Sequence, residues 1–136
     1  VEKAGTMFVT GPDVVKTVLG EEISFEDLGG AMTHGSKSGV AHFVAQNEYE
    51  CMDNIKKLIS YLPQNNSEEP SKIKNDDDPN RLDNNLINVI PENPLQPYDM
   101  KEIINSIVDN HEFFEVHELF AANIVVGYAR MDGQVC

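Results

Sequence analysis

The sequence has little positive charge and no long apolar run. Ten Lys and Arg stand against 23 Asp and Glu, which gives a net charge of −13. Because phosphate recognition depends on clustered cations, this balance argues against a nucleic-acid partner and against binding to anionic membranes. No apolar run approaches the roughly 18 residues that a membrane span requires, and no basic start followed by an apolar stretch indicates a signal peptide. We therefore expect neither a transmembrane helix nor a secretory leader.

Cysteine is scarce and the histidines are dispersed. Cys51 and Cys136 have no CxxC spacing and offer no disulfide framework, so a reducing compartment is the default expectation. None of the four histidines has the spacing of a metal site. They are His34, His42, His111 and His117. The sequence predicts no metal ligand, and its many carboxylates leave no catalytic pair that can be singled out.

The remaining composition is that of a globular protein. Apolar residues make up 40% and charged residues 24% of the 136 residues, which suits one domain or two partial ones. The chain starts at Val1 rather than methionine. A hairpin signal at Asp132-Gly133 leaves only three residues for the returning strand. We expect the sequence to be a piece of a longer polypeptide.

Local signals predict helices in the first half of the chain. Pro12 suits the first position of a helix that Gly20 closes. Ser24 starts a short helix that ends at Gly29-Gly30. A third helix begins at Asn47. An acidic residue lies three positions after it, and this spacing favours a helix start.

The third helix carries the strongest periodic signal in the sequence. Its apolar face consists of Cys51, Met52, Ile55, Leu58, Ile59 and Leu62, and Pro63 ends it. Burial of six side chains does not offset the entropy of ordering this helix on its own. The face must therefore pack on something larger, either a sheet or another subunit.

Several strands and one further helix are predicted along the rest of the chain. Strand-like stretches occupy residues 6–10, 38–45, 113–116 and 123–131, and Asp132-Gly133 begins a hairpin. Asp99 caps a helix with one apolar face. That face consists of Met100, Ile103, Ile104, Ile107 and Val108.

Residues 64–95 differ from the rest in composition. They hold eight Asn, four Pro, seven acids and three bases, including the solvated run Asn75-Asp76-Asp77-Asp78-Pro79. A structureless stretch of about 30 residues is unusual inside a compact domain, so we predict an interdomain linker. Within it, Leu86, Ile87, Val89 and Ile90 form an apolar patch that can dock on a surface.

Few residues in the chain suggest chemistry. His34 follows Gly29 and Gly30 in a predicted loop, where it can face a site or serve as a turn histidine. The two glycines can present backbone N–H groups to an oxyanion or simply stop a helix. Tyr128 and Arg130 share one face of their strand, which we interpret as solvated. The residues alone support no more than an α/β fragment.

Several blocks, in order, resemble one family. The first half carries Met7-Phe8-Val9-Thr10-Gly11-Pro12-Asp13, Leu28-Gly29-Gly30-Ala31 with His34, Ser38-Gly39-Val40-Ala41-His42 and Tyr61-Leu62-Pro63. The second half carries Asp78-Pro79-x-Arg81, Val89-Ile90-Pro91, Pro97-Tyr98-Asp99-Met100, Glu112-Phe113-Phe114-Glu115 and Gly127-Tyr128-Ala129-Arg130. Together they resemble the carboxyltransferase subunits of biotin-dependent acyl-CoA carboxylases and decarboxylases. Propionyl-CoA carboxylase β subunits and methylmalonyl-CoA decarboxylase α subunits share this pattern.

The resemblance implies an α/β, crotonase-like fold, of which this chain is an internal fragment. Residues 1–63 would be the C-terminal part of the N-terminal carboxyltransferase domain, 64–95 the interdomain linker, and 96–136 the start of the C-terminal carboxyltransferase domain. The oxyanion-hole turns of both domains would lie outside this chain, so none of its residues is expected to be catalytic. Gly29, Gly30 and His34 match a family block and are the candidates for lining the acyl-CoA pocket.

The implied reaction moves a carboxyl group between biotin N1′ and the α-carbon of propionyl-CoA or methylmalonyl-CoA. An acyl-CoA enolate attacks carbon dioxide derived from carboxybiotin, or a malonyl-type thioester loses its carboxylate to biotin. Both directions build negative charge on the thioester and ureido oxygens, which backbone N–H groups stabilise. Biotin on a carrier protein or domain is the implied cofactor and acyl-CoA the substrate. The isolated chain is expected to be inactive.

The resemblance also implies a homo-oligomer, hexameric or dimer-based, that meets a biotin carboxyl carrier. A biotin carboxylase partner would mean carboxylation and a membrane decarboxylase subunit would mean decarboxylation, and the sequence leaves the direction open. The expected location is the cytoplasm, or the mitochondrial matrix in a eukaryote, with membrane association only through partner subunits. The alternative is a non-catalytic truncated polypeptide with only a packing or assembly role.

Overall fold

A computed structural model describes all 136 residues of the chain. The α-helices are α1 Pro12–Leu19, α2 Phe25–Gly29, α3 Glu48–Tyr61, α4 Leu86–Val89 and α5 Met100–Ile107. A π-helical turn, Thr33–Lys37, and a 3₁₀ turn, Asp109–His111, accompany them. The strands are β1 Phe114–Val116, β2 Val126–Tyr128, β3 Arg130–Met131 and β4 Gln134–Val135. None of the helices has the length and apolar content to cross a bilayer.

The chain divides into two compact units. The first contains Val1–Lys57 and His117–Ile124, and the second contains Leu58–Val116 and Val125–Cys136. These units do not follow the boundaries expected from composition, because residues 64–95 fold within the second unit. The assignment of 1–63, 64–95 and 96–136 to parts of a family subunit stays a prediction.

The local helix signals are confirmed. Gly20 ends α1 in a left-handed conformation, with its N–H bonded to the Lys16 carbonyl. Ser24, Asn47 and Asp99 each accept a backbone N–H from the first turn of α2, α3 and α5, at 3.0, 3.0 and 2.8 Å. Short-range hydrogen bonding therefore sets where these helices begin and end.

The predicted strand at residues 6–10 is wrong. Only Thr6 forms a bridge, with Gly30, and the Val9 side chain is fully exposed. A strand needs a neighbouring ladder for its N–H and C=O groups, and no strand of this chain pairs with the segment. The Phe8 ring instead packs on Phe25, with ring centroids 5.8 Å apart.

The predicted strand at residues 38–45 is also wrong. Gly39 has a φ of +68°, which interrupts an extended path. The ring of Phe120 fills the space that a Cβ at Gly39 would need, 2.7 Å away. Further along, the His42 carbonyl accepts the His117 N–H at 3.0 Å. Residues 117–124 thus pack on this segment, and no strand pairs with it.

The strand pairs all lie in the second unit. β1 and β2 are antiparallel, with Phe114 opposite Tyr128, and β3 and β4 form a hairpin. The predicted strand over 123–131 is therefore two short strands, β2 and β3. The expected turn at Asp132-Gly133 is confirmed: both residues have positive φ, 49° and 76°, as a type I′ turn requires.

Tyr61 is at the centre of the core of the second unit. It is only 5% exposed, and its ring stacks with those of Phe114 and Tyr128 at centroid distances of 6.0 and 5.5 Å. The guanidinium of Arg130 lies over the same ring at 5.2 Å. Tyr128 and Arg130 therefore share a face, but the interpretation of that face as solvated is wrong, because Tyr61 covers it.

Arg130 also joins three stretches of backbone. Its guanidinium donates to the carbonyls of Ser60, Ser71 and Gly133 at 2.6, 2.8 and 3.0 Å. Hydrogen bonds from a charged donor are stronger than neutral ones. One side chain thus connects the end of α3, residues 64–95 and the β3–β4 turn.

Polar contacts hold part of residues 64–95 in place. Arg81 donates to the carbonyls of Ser106 and Val108, both at 2.7 Å, and so satisfies groups at the C-terminal end of α5. Its Nε lies 2.9 Å from the Asp77 carboxylate. Within the run that was expected to be solvated, Asn75 and Asp77 are half-buried, whereas Asp76, Asp78 and Pro79 are exposed.

The predicted apolar patch around α4 is divided between two environments. α4 packs against α5, and Leu86 and Val89 are half-buried. Ile87 and Ile90 remain exposed. Only half of the patch is therefore open to a further partner.

Replacing Arg130 with alanine should lower the free energy of unfolding by about 3 kcal/mol, because three carbonyls lose a charged donor. Urea denaturation followed by circular dichroism measures the change. Lys74 is exposed in the same stretch, and Lys74→Ala is the matched control, expected within about 0.5 kcal/mol of the unchanged chain. Equal stability of the two variants would contradict the role given to Arg130.

The loss of stability in acid should depend on Asp77. The backbone N–H of Asn110 and the guanidinium of Arg81 lower the pKa of Asp77 from its usual range. A carboxyl group with a lowered folded-state pKa adds stability above its unfolded pKa, about 3.9, and that stability is lost as pH falls through the folded value. In Asp77→Asn, the urea midpoint of unfolding should therefore fall less steeply as the pH is lowered below about 4. An unchanged slope would refute this assignment.

Candidate functional site

The three candidate residues lie together in the first unit. Gly29 is the last residue of α2, Gly30 follows it, and His34 lies in the π-helical turn. All three meet residues 6–8: the Gly29 carbonyl accepts the Met7 N–H at 2.8 Å, and Thr6 bridges Gly30. The His34 Nε2 lies 2.5 Å from the Met7 carbonyl oxygen. The sequence pattern therefore identified residues that form one cluster.

Both glycines are buried and leave no room for a side chain. A Cβ on Gly29 would meet the Met7 carbonyl oxygen and lie 2.7 Å from the Phe8 ring, and a Cβ on Gly30 would meet Glu26. Such contacts are closer than van der Waals packing allows. Glycine at position 29 therefore lets residues 6–8 approach α2 this closely, and glycine at position 30 leaves room for Glu26. The glycine pair is a close-packing contact.

Four hydrogen bonds hold His34. The Met7 carbonyl can only accept, so Nε2 carries a proton and donates to it. In the neutral ring, Nδ1 accepts from the Ser38 hydroxyl at 2.8 Å. The His34 N–H donates to the Gly30 carbonyl at 3.0 Å, and its carbonyl accepts the Ala41 N–H at 3.1 Å. Both ring nitrogens are therefore engaged within the chain.

The turn that carries His34 is π-helical, a geometry often found at functional sites. Side-chain hydroxyls reinforce it. Thr33 donates to the Glu26 carbonyl at 2.9 Å, and Ser36 donates to the Met32 carbonyl at 2.7 Å. These bonds fix the backbone from which the imidazole reaches residues 6–8.

Ser38 is a member of this cluster that the sequence analysis did not select as a candidate, although it lies near His34 in the sequence. It is the hydrogen-bond partner of His34 Nδ1. The signal was present in the sequence, because residues four apart on a helical turn lie side by side. The partner at Met7 had no such signal, since it is a backbone carbonyl 27 residues away.

The Gly30 N–H is hydrogen-bonded within the chain. It donates to the Glu26 carbonyl at 2.9 Å, which agrees with the helix-stop interpretation. A pocket-lining role for Gly29, Gly30 and His34 stays a prediction. Such a role would depend on the shape of the cluster and not on hydrogen bonds to a ligand, because the Gly30 N–H and the His34 ring are already hydrogen-bonded.

The other histidines lie outside this cluster. His111 is exposed, and its Nδ1 meets the Asn105 carbonyl at 2.7 Å. The rings of His42 and His117 lie with centroids 4.3 Å apart. The His117 Nδ1 is buried without a hydrogen-bond partner. No group of three or more His, Cys, Asp or Glu side chains is arranged to hold a metal ion.

Comparison with protein families gives a match over the whole chain. A family model described as the carboxyl transferase domain matches residues 1–136. The propionyl-CoA carboxylase, carboxyltransferase subunit, of Haloferax mediterranei is 52% identical over 127 residues, which cover 93% of this chain. The methylmalonyl-CoA decarboxylase subunit alpha of Veillonella parvula is 49% identical over 134 residues, or 98% of this chain. The chain spans only 25% and 26% of the lengths of these relatives.

Solved structures are similar across the same region. The crystal structure of transcarboxylase 12S with methylmalonyl-coenzyme A and methylmalonic acid bound matches with a TM-score of 0.91 and 38% identity. The match covers 96% of this chain and 25% of that one. A second structure of transcarboxylase 12S, with hydrolysed methylmalonyl-coenzyme A, gives a TM-score of 0.86 at 38% identity over 96% of this chain and 26% of that one. The likeness confirms the expected crotonase-like fold class, of which this chain forms a part.

His34→Ala should lower the free energy of unfolding by about 2 kcal/mol, because it removes two side-chain hydrogen bonds. Urea denaturation measures the loss. Hydrogen exchange at the Met7 amide, which bonds to Gly29, should become faster. Lys37 is exposed in the same turn, and Lys37→Ala should change stability by less than about 0.5 kcal/mol. Identical Met7 exchange in the two variants would contradict the proposed anchoring.

Proposed function

Because this chain belongs to the carboxyl transferase domain family, we propose that it forms about a quarter of a subunit that transfers a carboxyl group. The transfer runs between biotin and propionyl-CoA or methylmalonyl-CoA by way of a stabilised enolate. The observation that carries the proposal is the family match over every residue. The names of the two relatives and the methylmalonyl-coenzyme A bound to transcarboxylase 12S support the substrate class.

The chain contributes framework rather than reacting groups to this activity. Biotin, when bound, would accept or supply the carboxyl group at its N1′. The cluster of Gly29, Gly30 and His34 does not fit direct hydrogen bonding to biotin or acyl-CoA, since the Gly30 N–H and both imidazole nitrogens are occupied. We therefore assign no catalytic step to these residues. Their contribution is to hold residues 6–8 against α2 and the π-helical turn, and so to shape the wall of a pocket.

Activity, in this proposal, belongs to a homo-oligomer of the full-length subunit. The transcarboxylase 12S structure is described as a hexamer assembly with substrate binding to a multienzyme core, which supports this. A biotin carboxyl carrier would deliver the biotin, and a biotin carboxylase or a membrane decarboxylase subunit would complete the system. Relatives of both kinds match at 52% and 49% identity, so both directions stay open. A cytoplasmic location, or the matrix in a eukaryote, belongs to the same proposal.

A chimaera tests the proposal directly. The matching 134 residues of the Veillonella parvula subunit are replaced by this chain, and transfer of labelled carboxyl from methylmalonyl-CoA to biotin is measured. We expect the chimaera to retain transfer, because the framework of that region is shared. The 136-residue chain alone should show none, because it spans about a quarter of such a subunit.

A chimaera with Gly29→Leu is the matched control. A side chain at this position meets the Met7 carbonyl oxygen, so the variant should lose the 6–8 contact and most of its transfer activity. Size-exclusion chromatography confirms that each chimaera is assembled. An assembled but inactive chimaera with the unchanged chain, or turnover by the chain alone, would overturn the proposal. The first result would favour a packing role without catalysis.

A further inference from the structure

The β3–β4 turn contains a pair of residues that can react with each other. Of the nine glycines in the chain, only Gly133 directly follows an aspartate or an asparagine. A glycine leaves its main-chain nitrogen unhindered, because it has no side chain beside the preceding carboxyl group. The Asp132 side chain is exposed. The Asp132-Gly133 pair therefore has the composition at which a main-chain nitrogen attacks the neighbouring side chain.

This reaction converts an ordinary peptide link into an isoaspartyl link. The Gly133 nitrogen bonds to Cγ of the protonated Asp132 carboxyl group, and the proton of that nitrogen departs with the carboxyl OH as water. The product is a five-membered cyclic imide, which then takes up one water molecule. Opening at the main-chain carbonyl leaves the chain running through Asp132 Cγ, whereas opening at Cγ restores the original link. No electrons are transferred, and water is the only other reactant.

The carboxylate of Asp109 binds both N–H groups of this pair. Its Oδ2 accepts the Gly133 N–H at 2.7 Å, and its Oδ1 accepts the Asp132 N–H at 3.0 Å. The side-chain amide of Asn75 also donates to Asp109 Oδ2. Hydrogen bonds to a charged acceptor are stronger than neutral ones. Because the imide forms only when the Gly133 nitrogen loses its proton, the bond from that nitrogen to Asp109 must break first.

Further contacts restrain the groups on either side of the Gly133 nitrogen. The Gly133 carbonyl accepts the Ile73 N–H at 3.1 Å and an N–H of Arg130 at 3.0 Å. A Cβ at Gly133 would meet the Ile73 carbonyl oxygen, so neighbouring backbone encloses this residue. Lys72 Nζ pairs with Asp132 Oδ2 at 2.8 Å. The turn must therefore open locally before the nitrogen and the carboxyl carbon can react.

We propose that Asp132 is a site of isoaspartate formation, which Asp109 keeps closed while the second unit is folded. Local opening of the turn releases the Gly133 nitrogen, and the reaction then inserts the Asp132 Cβ into the main chain. A two-residue type I′ turn has no room for an additional main-chain atom, so the modification disrupts the pairing of β3 with β4. The proposal does not rest on carboxyl transfer.

Uptake of heavy oxygen from labelled water measures the reaction. The chain is incubated in this water, either folded or in urea, and the peptide that contains Asp132 is analysed by mass spectrometry. Each passage through the imide incorporates one oxygen atom from water. We expect uptake to be roughly a hundredfold slower in the folded chain than in urea, because two hydrogen bonds to a carboxylate must break before attack. Circular dichroism establishes which samples are folded.

Asp109→Ala tests the role of the Asp109 carboxylate. The folded variant should take up label at least about tenfold faster than the unchanged chain, because the Gly133 N–H loses its charged acceptor. Asp83 lies in the same unit and accepts the Asn85 N–H at 2.9 Å, outside the turn. Asp83→Ala is therefore the matched control and should leave uptake unchanged. Asp132→Glu should abolish uptake at this position, because the corresponding six-membered imide closes far more slowly.

Two results would overturn the proposal. One is equal uptake by the folded unchanged chain and by the chain in urea, which would mean that folding does not close the site. The other is equal uptake by folded Asp109→Ala and Asp83→Ala, which would assign the closure to other contacts. If Asp109→Ala does not fold, Asp109→Asn and Asp83→Asn provide the same comparison, because asparagine keeps the shape of the side chain but removes its charge and one acceptor oxygen.

Discussion

The contact of Arg130 with Tyr61 is the interaction on which the second unit depends. The ring of Tyr61 brings α3 and the β1–β2 pair into one core, and the guanidinium above it fixes three separate carbonyls. The chain contains only two arginines. The other, Arg81, also donates to carbonyls, at the end of α5. In a strongly acidic chain, both guanidinium groups thus donate to backbone carbonyl oxygens.

The helices could be predicted from sequence because their determinants are local. Gly20, Ser24 and Asp99 act on N–H and C=O groups within one turn of themselves, so each could be recognised without knowledge of the rest of the chain. The Asp132-Gly133 turn belongs to the same class. Strands at 6–10 and 38–45 failed for the opposite reason. A strand exists only where a second strand pairs with it, and apolar alternation does not specify that partner.

The sequence predicted which residues form the candidate site, but it did not predict their hydrogen-bond partners. The family block containing Gly29, Gly30 and His34 marks residues that do meet in space. Their contacts run to the backbone of Met7, which no side-chain pattern could identify. The same limit explains why the face shared by Tyr128 and Arg130 was wrongly interpreted as solvated. The two residues do share a face, but the ring that covers it belongs to Tyr61, which is distant in the sequence. Long-range partners, not local preferences, separate what could be predicted from what could not.

The two compact units are interleaved along the polypeptide. Residues His117–Ile124 belong to the first unit, although the residues on both sides of them belong to the second. No single cut in the chain can therefore release either unit whole. A gene fusion or deletion with one breakpoint after Lys57 would remove residues His117–Ile124 from the first unit. The hydrogen bond from the His117 N–H to the His42 carbonyl would be lost with them. The region can be inherited, exchanged or engineered intact, but it cannot be divided into interchangeable modules at one boundary.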